Sequence, residues 1–125
     1  MDPKEILKKY YHFAVVGVSQ NKEKYGYKIF SRLKERGYDV FGVSPIYSRV
    51  DDIKLYRDLE DIRHPIDCVV FVCAKEHVYE YIGEMRGLGI RYAWMQPNTY
   101  DDKLLEYIRE YGITPILACV LVETS

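Results

Sequence analysis

The sequence predicts a doubly wound α/β domain: a parallel sheet of five main strands plus a short edge strand, with helices on both faces in three αβα layers. Three observations carry this expectation. Short apolar, β-branched runs recur along the chain, segments with a single apolar face separate them, and only the stretch from Ile46 to Pro65 breaks the alternation. Each parallel return needs a crossover, and crossovers are right-handed, so strands that alternate with helices build one sheet covered on both sides. The 125 residues are expected to form one domain.

Asp2 before Pro3 places a capping residue ahead of a proline at the first helical position, so residues 1–11 read as a leading helix. From His12, HFAVVGV is a continuous apolar run suited to a strand buried on both faces. After the loop SQNKEKYGY, the segment KIFSRLKERG puts Ile29, Phe30 and Leu33 on one face of a helix. YDVFGVSP is the second main strand; IKLY reads as the short edge strand, and DLEDI as a single helical turn. DCVVFVC follows as a strand, then KEHVYEYIGEMRGLG as a helix with Val78, Ile82 and Met85 on one face, although Gly83 and Gly87 lower its propensity. RYAWMQP is a strand, TYDDKLLEYIREYG a helix with Leu104 and Ile108 on one face, and TPILACVLV the final strand.

Composition narrows the function classes. With 18 Lys and Arg against 19 Asp and Glu, both signs interspersed, the chain lacks the clustered positive charge that duplex nucleic acid demands. Its apolar runs fall well short of the ~20 residues that span a bilayer, and its N-terminus has no signal-peptide core, so a cytoplasmic protein without a membrane partner is expected. Three cysteines with no CxxC pair indicate neither a disulfide framework nor a zinc knuckle. The paired carboxylates fall in loops and helix starts, where acids act as caps, so no metal site is expected. Thirteen tyrosines are an unusual share of the aromatics and suit wet boundaries of a core.

In this architecture ligands bind beyond the carboxyl ends of the strands, where strand order reverses. After the first strand, Gly17 permits a tight turn, Ser19 and Asn21 offer short polar side chains, and Lys22 and Lys24 add positive charge, while the next helix aims its N-terminal amides at the loop. This reads as a phosphate loop, against the alternative of a solvated strand-to-helix connection. The dinucleotide pattern GxGxxG is not matched, because Ser19 stands at its second glycine. After the second strand, Ser44-Pro45 replaces the acid that would hold an NAD ribose. Ser44 with nearby Arg49 suits an additional phosphate on that ribose, as in NADP or coenzyme A; the alternative is a rigid turn beside an exposed arginine.

VVGVS with its long loop to YGYKI, ERGYDVFGVSP, the Val-Cys-Ala-Lys turn, AWMQP and the terminal Cys-Val-Leu-Val-Glu occur in an order that resembles small stand-alone CoA-binding proteins. That family is similar to the CoA-binding domain at the N-terminus of the succinyl-CoA synthetase alpha subunit. The resemblance covers roughly Phe13 to Glu123. It implies a Rossmann-like sheet and a non-catalytic or regulatory module that binds coenzyme A or a short acyl-CoA. On this resemblance Gly17, Val18, Ser19, Lys22, Tyr25 and Gly26 form the phosphate and adenine loop, Ser44 and Pro45 the second wall, and Lys75 and Gln96 the cleft edges.

The alternative functions are an NADP-dependent reductase and the small subunit of a two-chain acyl-CoA ligase. The partner expected is a small nucleotide ligand, with a homo-oligomer or a separate ligase subunit left open. Lys75 also reads as a solvated first-turn lysine and Gln96 as a strand-ending cap. Cys73 and Cys119 fall at carboxyl ends of strands, where either packs as a small hydrophobe or meets the CoA thiol. Of the histidines, only His77 is expected near the cleft.

Overall fold

The computed structural model describes all 125 residues. The elements run α1 (Pro3–Lys9), β1 (His12–Val16), α2 (Tyr25–Glu35), β2 (Asp39–Val43), β3 (Arg49–Val50), β4 (Ile53–Tyr56), a 3₁₀ turn (Leu59–Asp61), β5 (Cys68–Phe71), α3 (Lys75–Leu88), β6 (Tyr92–Met95), α4 (Asp102–Glu110), β7 (Thr114–Leu117) and α5 (Val120–Glu123). They form one seven-stranded sheet in the order β3-β4-β2-β1-β5-β6-β7. All neighbours are parallel except β3, which returns antiparallel to β4.

The two faces of the sheet bury separate cores. Ala14 and Val16 of β1 pack with Val69, Phe71 and the apolar faces of α3 and α4. Phe13 and Val15, pointing the other way by the two-residue period of a strand, pack with Ile6 of α1, with Ile29, Phe30 and Leu33 of α2, and with Trp94. Asp2 caps α1 in a capping box completed by Glu5. The 3₁₀ turn is held against α3 because the carboxylate of Glu84 accepts from the N–H groups of Leu59 and Glu60, both at 3.1 Å.

Three departures from the expected elements have local causes. The sheet has a seventh strand, since the chain after β2 turns back at Asp51 and Asp52, both at positive φ, and pairs Arg49 and Val50 with β4. Helix α2 begins at Tyr25, inside the expected loop, because Gly26 lets its first turn rest against the carbonyl of Gly17. The last strand stops at Leu117: Gln96 Oε1 accepts from Val120 N–H at 2.7 Å, Trp94 Nε1–H donates to the Ala118 carbonyl at 2.9 Å, and the chain turns into α5. Pro115 is accommodated because β7 is an edge strand.

Candidate functional site

From β1 the chain winds outward to β2 and β4, then crosses to β5 on the other side of β1. The order therefore reverses between β1 and β5, and the loops leaving these strands diverge to opposite faces. A cavity of about 840 Å³ opens there, at the carboxyl ends of β1, β2, β4 and β5.

The β1 loop is shaped by two glycines. Gly17 has φ +107°, and a Cβ there would lie 3.0 Å from the backbone nitrogen of Cys73, so the loop passes against the end of β5. A Cβ on Gly26 would lie 2.0 Å from the Gly17 oxygen, so the approach of α2 requires glycine. Together they do for this loop what the first and third glycines do in a dinucleotide fingerprint, with a longer loop between.

Polar groups line the result. Ser19, nine-tenths buried, has its Oγ accepting from Asn21 N–H at 3.0 Å. Asn21 Oδ1 in turn accepts from Glu23 N–H at 3.0 Å. The N–H groups of Ser19, Tyr25 and Gly26 find no acceptor within the chain. Helices α2 and α3 start at the cavity without a side-chain cap, whereas α1 and α4, which start elsewhere, are capped by Asp2 and Asp101. Unpaired amides at the start of α2, with its dipole behind them and Lys24 beside them, turn hydrogen-bond donors and positive charge towards the cavity.

Across the β2 end, Ser44 builds the second wall. Its Oγ accepts from the N–H groups of Ile46 at 3.1 Å and Tyr47 at 3.0 Å, which fixes the turn and leaves its own proton available to donate. Pro45, Ile46 and Tyr47 present apolar surface to the cavity. Beyond β5 the lining passes through Cys73 and Ala74 to His77, Glu80 and Tyr81 of α3. Burial pushes the Cys73 thiol up to about 11, with the nearby Glu80 charge adding to the effect, so at neutral pH it is protonated and a poor nucleophile.

Of the residues expected at the site, Gly17, Val18, Ser19, Tyr25, Gly26, Ser44, Pro45 and Cys73 line this cavity. Four others lie elsewhere. Lys22 reaches over the ring of Tyr27. Arg49 donates to the Asp52 carbonyl at 2.8 Å and closes the β3–β4 hairpin. Lys75 pairs with Asp101 at 3.1 Å and so ties α3 to α4. Gln96 is buried and caps α5. Of the thiols, Cys119 precedes α5 and does not line the cavity, and Cys68 is buried in β5. His77 and Lys24 do line it, as expected, while Arg57, Glu80 and Tyr81 were not singled out from the sequence as cavity residues. The available signal for Arg57 was the IKLY strand, whose parallel pairing with β2 carries the following residue to the cavity.

Known proteins are similar to this chain in sequence and in fold. The chain is 25% identical over 120 residues to the uncharacterised protein YneT of Bacillus subtilis, a match covering 95% of this chain and 89% of that one. It is 26% identical over 108 residues to the ADP-forming acetate–CoA ligase of Methanocaldococcus jannaschii, covering 80% of this chain but only 15% of the ligase. A hypothetical protein from Pyrococcus horikoshii OT3 superposes with a TM-score of 0.89 at 30% identity, over 96% of this chain and 85% of that one. Residues 11–125 match the family described as a CoA binding domain, and with the reversal-point cavity lying inside that span the chain belongs to the CoA-binding domain family.

Proposed function

We propose that this chain binds coenzyme A or a short acyl-CoA in the cavity at the β1–β5 reversal and acts as a binding or regulatory module. The observation that carries the reading is the cradle of unpaired amides at Ser19, Tyr25 and Gly26 beside Lys24, which suits the diphosphate of such a ligand. Ser44 and the apolar turn after it suit the adenosine, and the lining that continues past Cys73 to Tyr81 offers a course for the pantetheine arm. The protonated state of Cys73 favours contact over nucleophilic attack.

Titration calorimetry with coenzyme A, acetyl-CoA and AMP tests it. Coenzyme A is expected to bind more tightly than AMP; absence of a binding heat for every coenzyme A species would refute the proposal.

The alignment with 15% of an acetate–CoA ligase supports a second reading, in which this chain holds coenzyme A for a ligase whose other domains form a separate chain. Affinity capture of the tagged chain from its own source cells decides between the two. A stoichiometric partner with ATP-, acid- and coenzyme A-dependent acyl-CoA formation would favour the ligase, and recovery of the chain alone would favour the module.

A further inference from the structure

We propose that Arg57 reads a phosphate monoester on the ribose of the bound adenine nucleotide, and so sets the ligand class of this cavity as one bearing both a diphosphate and a separate ribose phosphate. The inference rests on the coenzyme A reading above and assigns the discrimination to one residue.

Sheet register brings Arg57 to this position. Val43 of β2 pairs with Tyr56 of β4, and Ser44 N–H donates to the Tyr56 carbonyl at 2.8 Å, so Ser44 and Arg57 leave the sheet side by side. Both line the cavity. Ser44 is only 5% exposed, and with its oxygen engaged by two backbone N–H groups its hydroxyl proton is the group left to meet a ligand.

Arg57 has no other occupation. The ion pairs of the chain are Lys4–Glu123, His12–Asp39 and Lys75–Asp101, and the arginine side chains that donate hydrogen bonds are Arg32 and Arg49. A guanidinium with its five N–H donors uncommitted, at the mouth of a cavity, matches the bidentate geometry of a phosphate monoester. Strand β4 lies two places from β1, roughly 10 Å at the usual strand spacing. A ribose ring and the reach of an arginine side chain cover that distance, so a ligand whose diphosphate sits at the β1 loop presents its ribose phosphate to Arg57. A nucleotide with a diphosphate alone leaves Arg57 unmatched. Arg49, closer to Ser44 in sequence, donates to the Asp52 carbonyl within the hairpin and does not line the cavity.

The test measures coenzyme A against dephospho-CoA, and adenosine 3′,5′-bisphosphate against AMP, by calorimetry on the parent chain, Arg57→Gln and Arg49→Gln. In the parent, the ribose phosphate is expected to improve affinity by about 10- to 100-fold in each pair, the range of a charge-assisted hydrogen-bonded contact. Arg57→Gln is expected to collapse that ratio to within about threefold, with the larger loss falling on the ligand of each pair that carries the ribose phosphate, and Arg49→Gln to preserve it. A parental ratio retained in Arg57→Gln, or lost in Arg49→Gln instead, would overturn the assignment. If the parent ignores coenzyme A yet prefers the bisphosphate in an Arg57-dependent way, the coenzyme A reading fails and the assignment stands. Equal binding of coenzyme A and dephospho-CoA by the parent would do the reverse.

Discussion

Replacing Gly26 by alanine probes the contact on which the loop geometry depends. The added Cβ would lie 2.0 Å from the Gly17 oxygen, 3.1 Å from the Gly17 carbonyl carbon and 3.2 Å from Ser19 N. All three are backbone atoms, so no side chain can swing aside; the first turn of α2 must retreat by roughly 1 Å or more to restore a normal separation. Overpacking of this kind costs about 1–3 kcal/mol, and a backbone-on-backbone clash belongs at the upper end. Alanine's better helix propensity returns at most about 1 kcal/mol, leaving a net loss of about 2 kcal/mol. A chain of 125 residues has an unfolding entropy near 0.26 kcal/mol/K, so the midpoint should fall by about 8 °C. Thermal unfolding followed by circular dichroism measures this, with Gly83→Ala as the comparison, because nothing lies within 4 Å of a Cβ there and the helix should gain up to about 1 kcal/mol. Coenzyme A binding should weaken in Gly26→Ala as the amides of Tyr25 and Gly26 move away. A variant as stable as the parent and binding equally well would refute the packing argument.

Two pH-dependent outcomes follow from the ionisable groups. Because burial raises Cys73 to about 11, iodoacetamide should alkylate it at pH 8 about two orders of magnitude more slowly than an unstructured thiol, and the rate should climb towards pH 11; Cys119→Ser removes the competing half-buried thiol, and rapid labelling of Cys73 at pH 8 would contradict the assignment. Asp101 is held below its ordinary value of 3.8, first by the Leu104 N–H and then by Lys75, so its contribution is complete above that value and lost as pH falls through the depressed one. The stability gap between the parent and Asp101→Asn, measured by denaturant unfolding, should therefore be open at pH 7 and close in acid; a gap independent of pH would exclude the carboxylate charge as its source.

How far the site could be read from the sequence depended on the range of the interaction that made each part. The run HFAVVGV, the helical spacing of Val78, Ile82 and Met85, and the turn at Ser44-Pro45 are local signals, because side chains two, three or four residues apart share a face by the geometry of their own element. The same local reasoning locates the β1 loop and the β2 end at the ligand edge of the sheet, and the glycines Gly17 and Gly26 within that loop. It could not tell an available cation from an engaged one. Lys75 and its partner Asp101 are joined only when α3 and α4 pack, and Arg49 is taken up by a hairpin that exists only because β3 pairs with β4. Gln96 meets Val120 only where β6 and β7 lie side by side. Arg57 becomes a cavity residue through the pairing of Val43 with Tyr56. Local periodicity determined by itself the main strands and helices and which of their faces are buried, whereas the added strand β3, the turn into α5 and the placement of charge around the cavity were decided by register and packing between segments distant in the chain.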